Sequence, residues 1–159
     1  MLVPIRIQLQ SLLLNPVFLS CLFSWFGAQL VKTVIMLLKG RIRSIKELFA
    51  LLIWRTGGMP SSHSAIVSAM TTSIGIRAGL DSDLFVLSMC FSLVVIRDAL
   101  GVRRANGLQA KALNEMGKEL SKKEIIMYKP VKEVHGHQPI EVFVGVLFGI
   151  SMAVGFCFL

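Results

Sequence analysis

The chain has 159 residues, of which 54% are hydrophobic and only 16% charged, and its mean hydropathy is +0.70. A soluble domain of this size carries about a quarter charged residues, so the composition excludes an ordinary soluble globule and indicates an integral membrane protein, all-α and of one domain spanning residues 1–159. The net charge of +8 comes without a nucleic-acid-binding motif, which leaves no nucleic-acid partner to expect and points instead to a phosphorylated lipid or an anionic membrane surface.

Arg6 is the only early charge, and no small-residue cleavage site follows the first apolar stretch, so that stretch is expected to be retained. Leu12 to Leu38 is the first expected crossing, interrupted by Gln29 and Lys32 and ended by Lys39-Gly40-Arg41-Ile42-Arg43. Glu47 to Trp54 is apolar but too short to cross, and reads as an interfacial or re-entrant helix. Gly57-Gly58 breaks the chain, and Pro60-Ser61-Ser62 signals a helix start, because serine accepts orphan N–H bonds in a first turn. Ser64 to Leu80 is the second crossing, rich in the small residues that let membrane helices approach closely, with Gly75-xxx-Gly79 as a packing stripe that would serve one chain or a homo-oligomer equally. After the turn Asp81-Ser82-Asp83, Leu84 to Ile96 is the third crossing, continuing through Arg97-Asp98. Ala105 to Leu120 is helical with mixed charges, Pro130 interrupts the chain, and Ile140 to Leu159 is the last crossing, striped by Gly145, Gly149 and Ala153. The expected architecture is thus a polytopic bundle of about four transmembrane helices plus the short re-entrant or interfacial helix. Cys21, Cys90 and Cys157 lie far apart in apolar runs with no zinc spacing, and read as small hydrophobes.

Counting sides from this topology puts fifteen Lys/Arg on the side where the first span ends, with only Arg6 and Arg77 on the other. The positive-inside rule makes the richer side cytoplasmic. All three histidines fall on that side too, in Gly57-Gly58-Met59-Pro60-Ser61-Ser62-His63-Ser64-Ala65 and in Lys132-Glu133-Val134-His135-Gly136-His137-Gln138-Pro139-Ile140-Glu141.

The first motif offers two glycines for close backbone approach and a helix N-terminus whose dipole favours an anion, with His63 placed to give a proton to a leaving alkoxide. A capped helix with an interfacial histidine is the plainer reading of the same residues. In the second, His137 and Glu141 share a helical face, so a carboxylate bonded to one ring nitrogen fixes the tautomer and leaves the other as nucleophile; a structural ion pair is the plainer alternative. His135 lacks such a carboxylate and is at most a lining residue. Arg97, Asp98, Arg103, Arg104 and Lys111 cluster at the end of a membrane helix, where guanidinium forks suit phosphate oxygens and Asp98 would orient an arginine or bind a metal; a basic anchor for headgroups is the alternative. Lys32 and Gln29 either point into a polar site between helices or, for the lysine, snorkel.

Taken together, Gly57 to Ala65, then Asp98-Ala99-Leu100-Gly101-Val102-Arg103-Arg104, then Gly136-His137-Gln138-Pro139-Ile140-Glu141-Val142, resemble the divergent PAP2 family, small bacterial and plant membrane proteins related to type 2 phosphatidic acid phosphatases and vanadium haloperoxidases. The resemblance runs from about Asn15 to the C-terminus. Pro60-Ser61-Ser62-His63 is similar to the Pro-Ser-Gly-His signature of the wider phosphatases, with Ser62 in place of glycine. His137 and Glu141 resemble the end of their third signature, with Glu for Asp, while Pro130-Val131 stand where its Ser-Arg pair would be. The first signature is only echoed by Lys32 and Lys39-Gly40, and the crossing count is below the usual six of the wider family's membrane members.

What the resemblance implies is a phosphatase acting on a lipid phosphomonoester through a phosphohistidine: His137 as nucleophile, Glu141 as its orienter, His63 as general acid, and Lys32, Ser61, Ser62, Arg103 and Arg104 on the phosphate oxygens. Asp98, His135, Lys132 and Gln29 would support the site, with Lys132, Arg103 or Arg104 replacing the missing cation. No metal or other cofactor is needed in that scheme, since cations and N–H groups stabilise the charged transition state. Implied substrates are phosphatidic acid, phosphatidylglycerol phosphate or a polyprenyl pyrophosphate, in a bacterial inner membrane or a plant organelle membrane. Two other readings stay open: a catalytically inactive lipid-binding or scaffold protein of the same fold, and, ranked last because no matched pair of broken helices is present, a small-molecule transporter.

Overall fold

The computed structural model describes residues 4–40, 58–131, 133 and 137–159, with Arg103 described in its backbone only. The expected re-entrant helix at 47–54, together with Lys132 and His135, lies outside the described residues. Every regular element among the described residues is a helix: α1 (Ile5–Leu13), α2 (Pro16–Leu38), α3 (Ser62–Ala78), α4 (Asp83–Leu100), α5 (Val102–Lys122) and α6 (Pro139–Phe158).

The first expected crossing begins four residues late. Asn15 caps α2, its Oδ1 accepting the Val17 N–H at 2.8 Å, and Pro16 at the first helical position has no N–H to lose. The preceding apolar residues form the separate, wholly unburied α1. Among the described residues three stretches are long and apolar enough to cross a membrane: Pro16–Leu38, the run Asp83–Lys122 that contains α4, and Pro139–Phe158. The second expected crossing, α3, is not among them: it has 17 residues, about 25 Å at 1.5 Å per residue, against roughly 30 Å of hydrocarbon.

α3 is the centre of the bundle, packed against α2, α4 and α6. Its sequence suits enclosure. Ser62, Ser64, Ser68 and Ser73 are buried, and the small alanines Ala65 and Ala69 are fully so. Against α2, the Ser20 and Ser73 hydroxyls meet at 2.7 Å. Against α4, Thr71 Oγ1 lies 2.7 Å from Ser92 Oγ, and Ser92 donates to Val67 O at 3.1 Å. Against α6, Ser68 donates to Val146 O at 3.3 Å. Interhelical bonds of this kind are worth about 0.6 kcal/mol each in a membrane. The pairings fix directions: α2 and α4 run antiparallel to α3, and α6 runs parallel to it.

The α6 stripe does what its small residues allow. Gly145, Gly149 and Ala153 are buried, and a Cβ on Gly145 would sit 2.5 Å from Ser61 O. A Cβ on Gly149 would overlap Ala65 O and Ser68 Oγ. The other expected stripe is corrected. Gly79 is not part of a packing face; it ends α3 with a φ of +92°, a conformation that glycine adopts without steric cost. The interior is thus small and polar, while Leu22, Phe26, Leu30, Leu93, Phe143 and Leu147 face outward, as lipid-facing side chains do.

Candidate functional site

The N-terminus of α3 and the N-terminus of α6 meet at one end of the bundle. Ser61, fully buried, caps α3: its Oγ accepts the Ser64 N–H at 3.4 Å and the Ser64 hydroxyl at 3.0 Å. Its own N–H donates to Glu141 O at 2.9 Å. That bond joins the two histidine motifs directly, and the bare Cα of Gly145 one turn further on gives Ser61 room to make it.

His137 sits two residues before α6 and is 5% exposed. Its Nδ1 lies 2.9 Å from Glu141 Oε2, and the same oxygen accepts the Gln138 N–H at 3.1 Å. One carboxylate therefore caps the helix and orients the ring, which leaves Nε2 as the nitrogen for a ligand. His63 is the second residue of α3 and half-buried, so both imidazoles stand at the same end of the bundle.

α2 brings its cation to the same place. Lys32 is 3% exposed and donates from Nζ to Ser62 Oγ at 3.3 Å. Gln29, one turn earlier on α2, is also buried, and its Oε1 has no hydrogen-bond partner among the described residues. Beside this cluster is a cavity of about 360 Å³. Lys32, Lys39 and Glu141 supply its charges, Ile35, Met36, Met59 and Ile140 its apolar wall, and Gly58 and Gln138 complete it; neither imidazole lines it. Two cations against one carboxylate make it a setting for an anion with an apolar tail.

The remaining expected residues are placed differently. Arg104 is exposed on α5, which packs against α4 and against none of α2, α3 and α6. Neither it nor the backbone of Arg103 is brought to the cluster by a described helix contact. Asp98 is half-buried in the last turn of α4. Among the described residues no group of three or more His, Cys, Asp or Glu side chains is gathered to hold a metal ion.

Three participants escape the motif reading. Lys39 reads as an ordinary membrane flank, yet Lys32, Ile35, Met36 and Lys39 recur at helical spacing and share a face of α2. Gln138 is given no role by the motif reading, yet its N–H donates to the Glu141 carboxylate. Asn114 is buried on α5 and holds the chain that leads to His137: it donates to Val131 O at 2.9 Å and to Glu133 Oε1 at 2.8 Å, and its Oδ1 accepts the Val131 N–H at 2.9 Å and the Tyr128 hydroxyl. No sequence spacing marks that contact.

A relative in Bacillus subtilis (strain 168), described as the uncharacterized membrane protein YuiD, is 40% identical over 153 residues, covering 89% of this chain and 94% of its own length. No solved structure matches the chain. The family model described as the divergent PAP2 family matches residues 13–152, which take in both histidine motifs, Lys32 and all of α2 through α5. The chain is a membrane protein of the divergent PAP2 family.

Proposed function

We propose that this protein is a lipid phosphatase whose site lies at the α3–α6 end of the bundle. The observation that carries the reading is the Ser61 N–H to Glu141 O bond, which puts the His63 turn against the His137–Glu141 pair, with the Lys32 ammonium at Ser62. In this reading a lipid with a terminal phosphoryl group (the phosphomonoester of phosphatidic acid or phosphatidylglycerol phosphate, or the phosphoanhydride of a polyprenyl pyrophosphate) enters with that phosphate at Lys32, Ser61 and Ser62. His137 Nε2 attacks phosphorus, forming the P–N bond as the P–O bond to the lipid breaks, and His63 gives its proton to the departing oxygen. Water then attacks the phosphohistidine; its proton passes to His63, the P–N bond breaks, and inorganic phosphate and the starting imidazole are regenerated. Lys32 offsets the charge that builds on the phosphoryl oxygens. α3 counts as a crossing, the second of four in chain order, packed among its neighbours, and the end bearing the histidines faces the cytoplasm because most Lys and Arg gather there.

The test is phosphate release from short-chain phosphatidic acid in detergent by the wild type, His63→Ala and His137→Ala. Loss of about 10²-fold or more in each variant is expected, and equal release by all three removes the phosphatase reading. One observation favours a second reading, a lipid-binding scaffold without turnover: Pro130-Val131 replace the Ser-Arg pair of the wider family, and the exposed Arg104 is not packed against the site. An inactive wild type that still binds the same lipid would select it.

A further inference from the structure

We propose that α5 and the loop that follows it form a membrane-surface module, lying on the anionic headgroups of the bilayer that α4 crosses. α4 runs antiparallel to α3, so α5 begins at the same end of the bundle as His137. Gly101, with ψ at −80°, departs from helical geometry between the two helices, so that α5 need not continue the line of α4.

Three flanks of α5 have three different chemistries. One carries Arg104, Lys111, Glu115, Lys118 and Lys122, with Lys111–Glu115 at 3.9 Å and Lys122–Glu119 at 2.8 Å, all solvent-exposed. The second is covered by the chain's own return: Asn114 binds Tyr128, Val131 and Glu133, and the Tyr128 ring lies on Gly117. The third carries Leu113, Met116 and Leu120 on one helical line, all exposed; Val102 lies on the same line three turns earlier, beyond Asn106 and Gln109, and α5 packs against no described helix but α4. The helix holds five Lys or Arg against two Glu, so it does not suit the hydrocarbon, yet its C-terminal half leaves the apolar patch Leu113, Met116 and Leu120 open.

The loop supplies an independent observation. α5 ends in a Schellman turn: Ile125 N–H donates to Leu120 O at 3.1 Å and Glu124 N–H to Ser121 O at 3.0 Å, with Glu124 at a φ of +57°. The turn folds Ile125 back toward Leu120 and extends the stripe. Ile125, Ile126 and Met127 are then three consecutive exposed apolar residues, flanked by Lys122, Lys123 and Lys129. Apolar side chains bracketed by lysines, attached to the end of a membrane span, fit an anionic lipid surface: the stripe and tip enter the acyl boundary while the lysines meet phosphates.

The test uses the full chain with Cys21, Cys90 and Cys157 replaced by alanine, in nanodiscs of phosphatidylcholine with phosphatidylglycerol. Spin labels are placed singly at Met116→Cys, Met127→Cys and Lys118→Cys, and collision with oxygen is compared with collision with a water-soluble nickel chelate. Labels at 116 and 127 should favour oxygen and the label at 118 the nickel chelate. Replacing Lys111, Lys118 and Lys122 together with Glu should shift 116 toward nickel in the anionic discs. A label at 116 as open to nickel as 118 in the parent chain would show a helix standing in water and overturn the proposal. Exclusion of both reagents at 116, with a short distance to the same label in a second copy, would overturn it in favour of a chain–chain contact. Neither readout depends on phosphate release, so failure here is distinct from failure of the phosphatase reading.

Discussion

Glu141 holds three partners with two groups. Its Oε2 serves the His137 ring and the Gln138 N–H, and its carbonyl oxygen serves Ser61. Glu141→Gln keeps the size and the carbonyl bond but loses the charge that favours one imidazole tautomer. Melting in detergent should change little, while phosphate release falls by about 10²–10⁴-fold; a variant with full release would remove Glu141 from the mechanism. Lys32 presents the opposite balance. It is 3% exposed, with Ser62 Oγ as its hydrogen-bond acceptor and the Glu141 carboxylate, already bonded to His137 and Gln138, in the same cavity, and burying a charge without a direct ion pair among the described residues costs stability. Lys32→Met has nearly the same shape and no charge. Its unfolding midpoint should equal or exceed that of the wild type, while release drops by about 10²–10³-fold. A destabilised Lys32→Met with normal release would contradict both halves. At this scale the sequence exposes residues whose chemistry is unusual for their surroundings: a lysine inside an apolar run, histidines at helix mouths, a carboxylate four residues after His137. It conceals Gln138 and Asn114, because a backbone N–H and a buried amide act through where the fold places them and not through residue type.

Helix boundaries follow from local chemistry wherever a cap or a glycine is present. Ser61 and Gly79 bound α3 within two residues of the expected segment, and Ser82 caps α4 through the Phe85 N–H at 3.2 Å. The start of α2 is hidden because apolar residues run through it on both sides; only Asn15-Pro16 marks the break, and hydropathy does not weigh it. Gly149 is the element-scale residue with the clearest test. A Cβ there meets backbone, Ala65 O, which cannot move without shifting α3, whereas a Cβ on Gly155 meets nothing within 4 Å. Gly149→Leu should abolish the detergent-stable fold. Gly155→Ala should leave the fold intact and, by helix propensity, raise stability by up to about 1 kcal/mol. Equal melting temperatures for the two variants would mean that the α3–α6 seam is not what holds the bundle together.

At the scale of the whole molecule, the question is whether a 17-residue helix with four buried serines crosses the bilayer. Length and hydropathy are criteria for a helix that faces lipid. α3 is enclosed over most of its length, with only Ile76, Arg77 and Ala78 exposed: it packs against α2, α4 and α6, and its hydroxyls bond to all three. A helix so enclosed is free of both criteria, so the proposal that it crosses rests on topology and not on composition. If α3 crosses, the antiparallel return of α4 after the turn at 79–82 puts Lys39 and Ser82 on opposite sides. Single cysteines at these positions, on the background lacking Cys21, Cys90 and Cys157, decide it. In intact bacterial cells an impermeant maleimide should label Ser82→Cys and spare Lys39→Cys, and permeabilisation should expose both. Labelling of both in intact cells would show that α3 turns back without crossing. Labelling of 39 alone would keep the four crossings but place the lysines, and His137 with them, on the outer face, in which case a lipid phosphate presented outside the cell becomes the substrate to test.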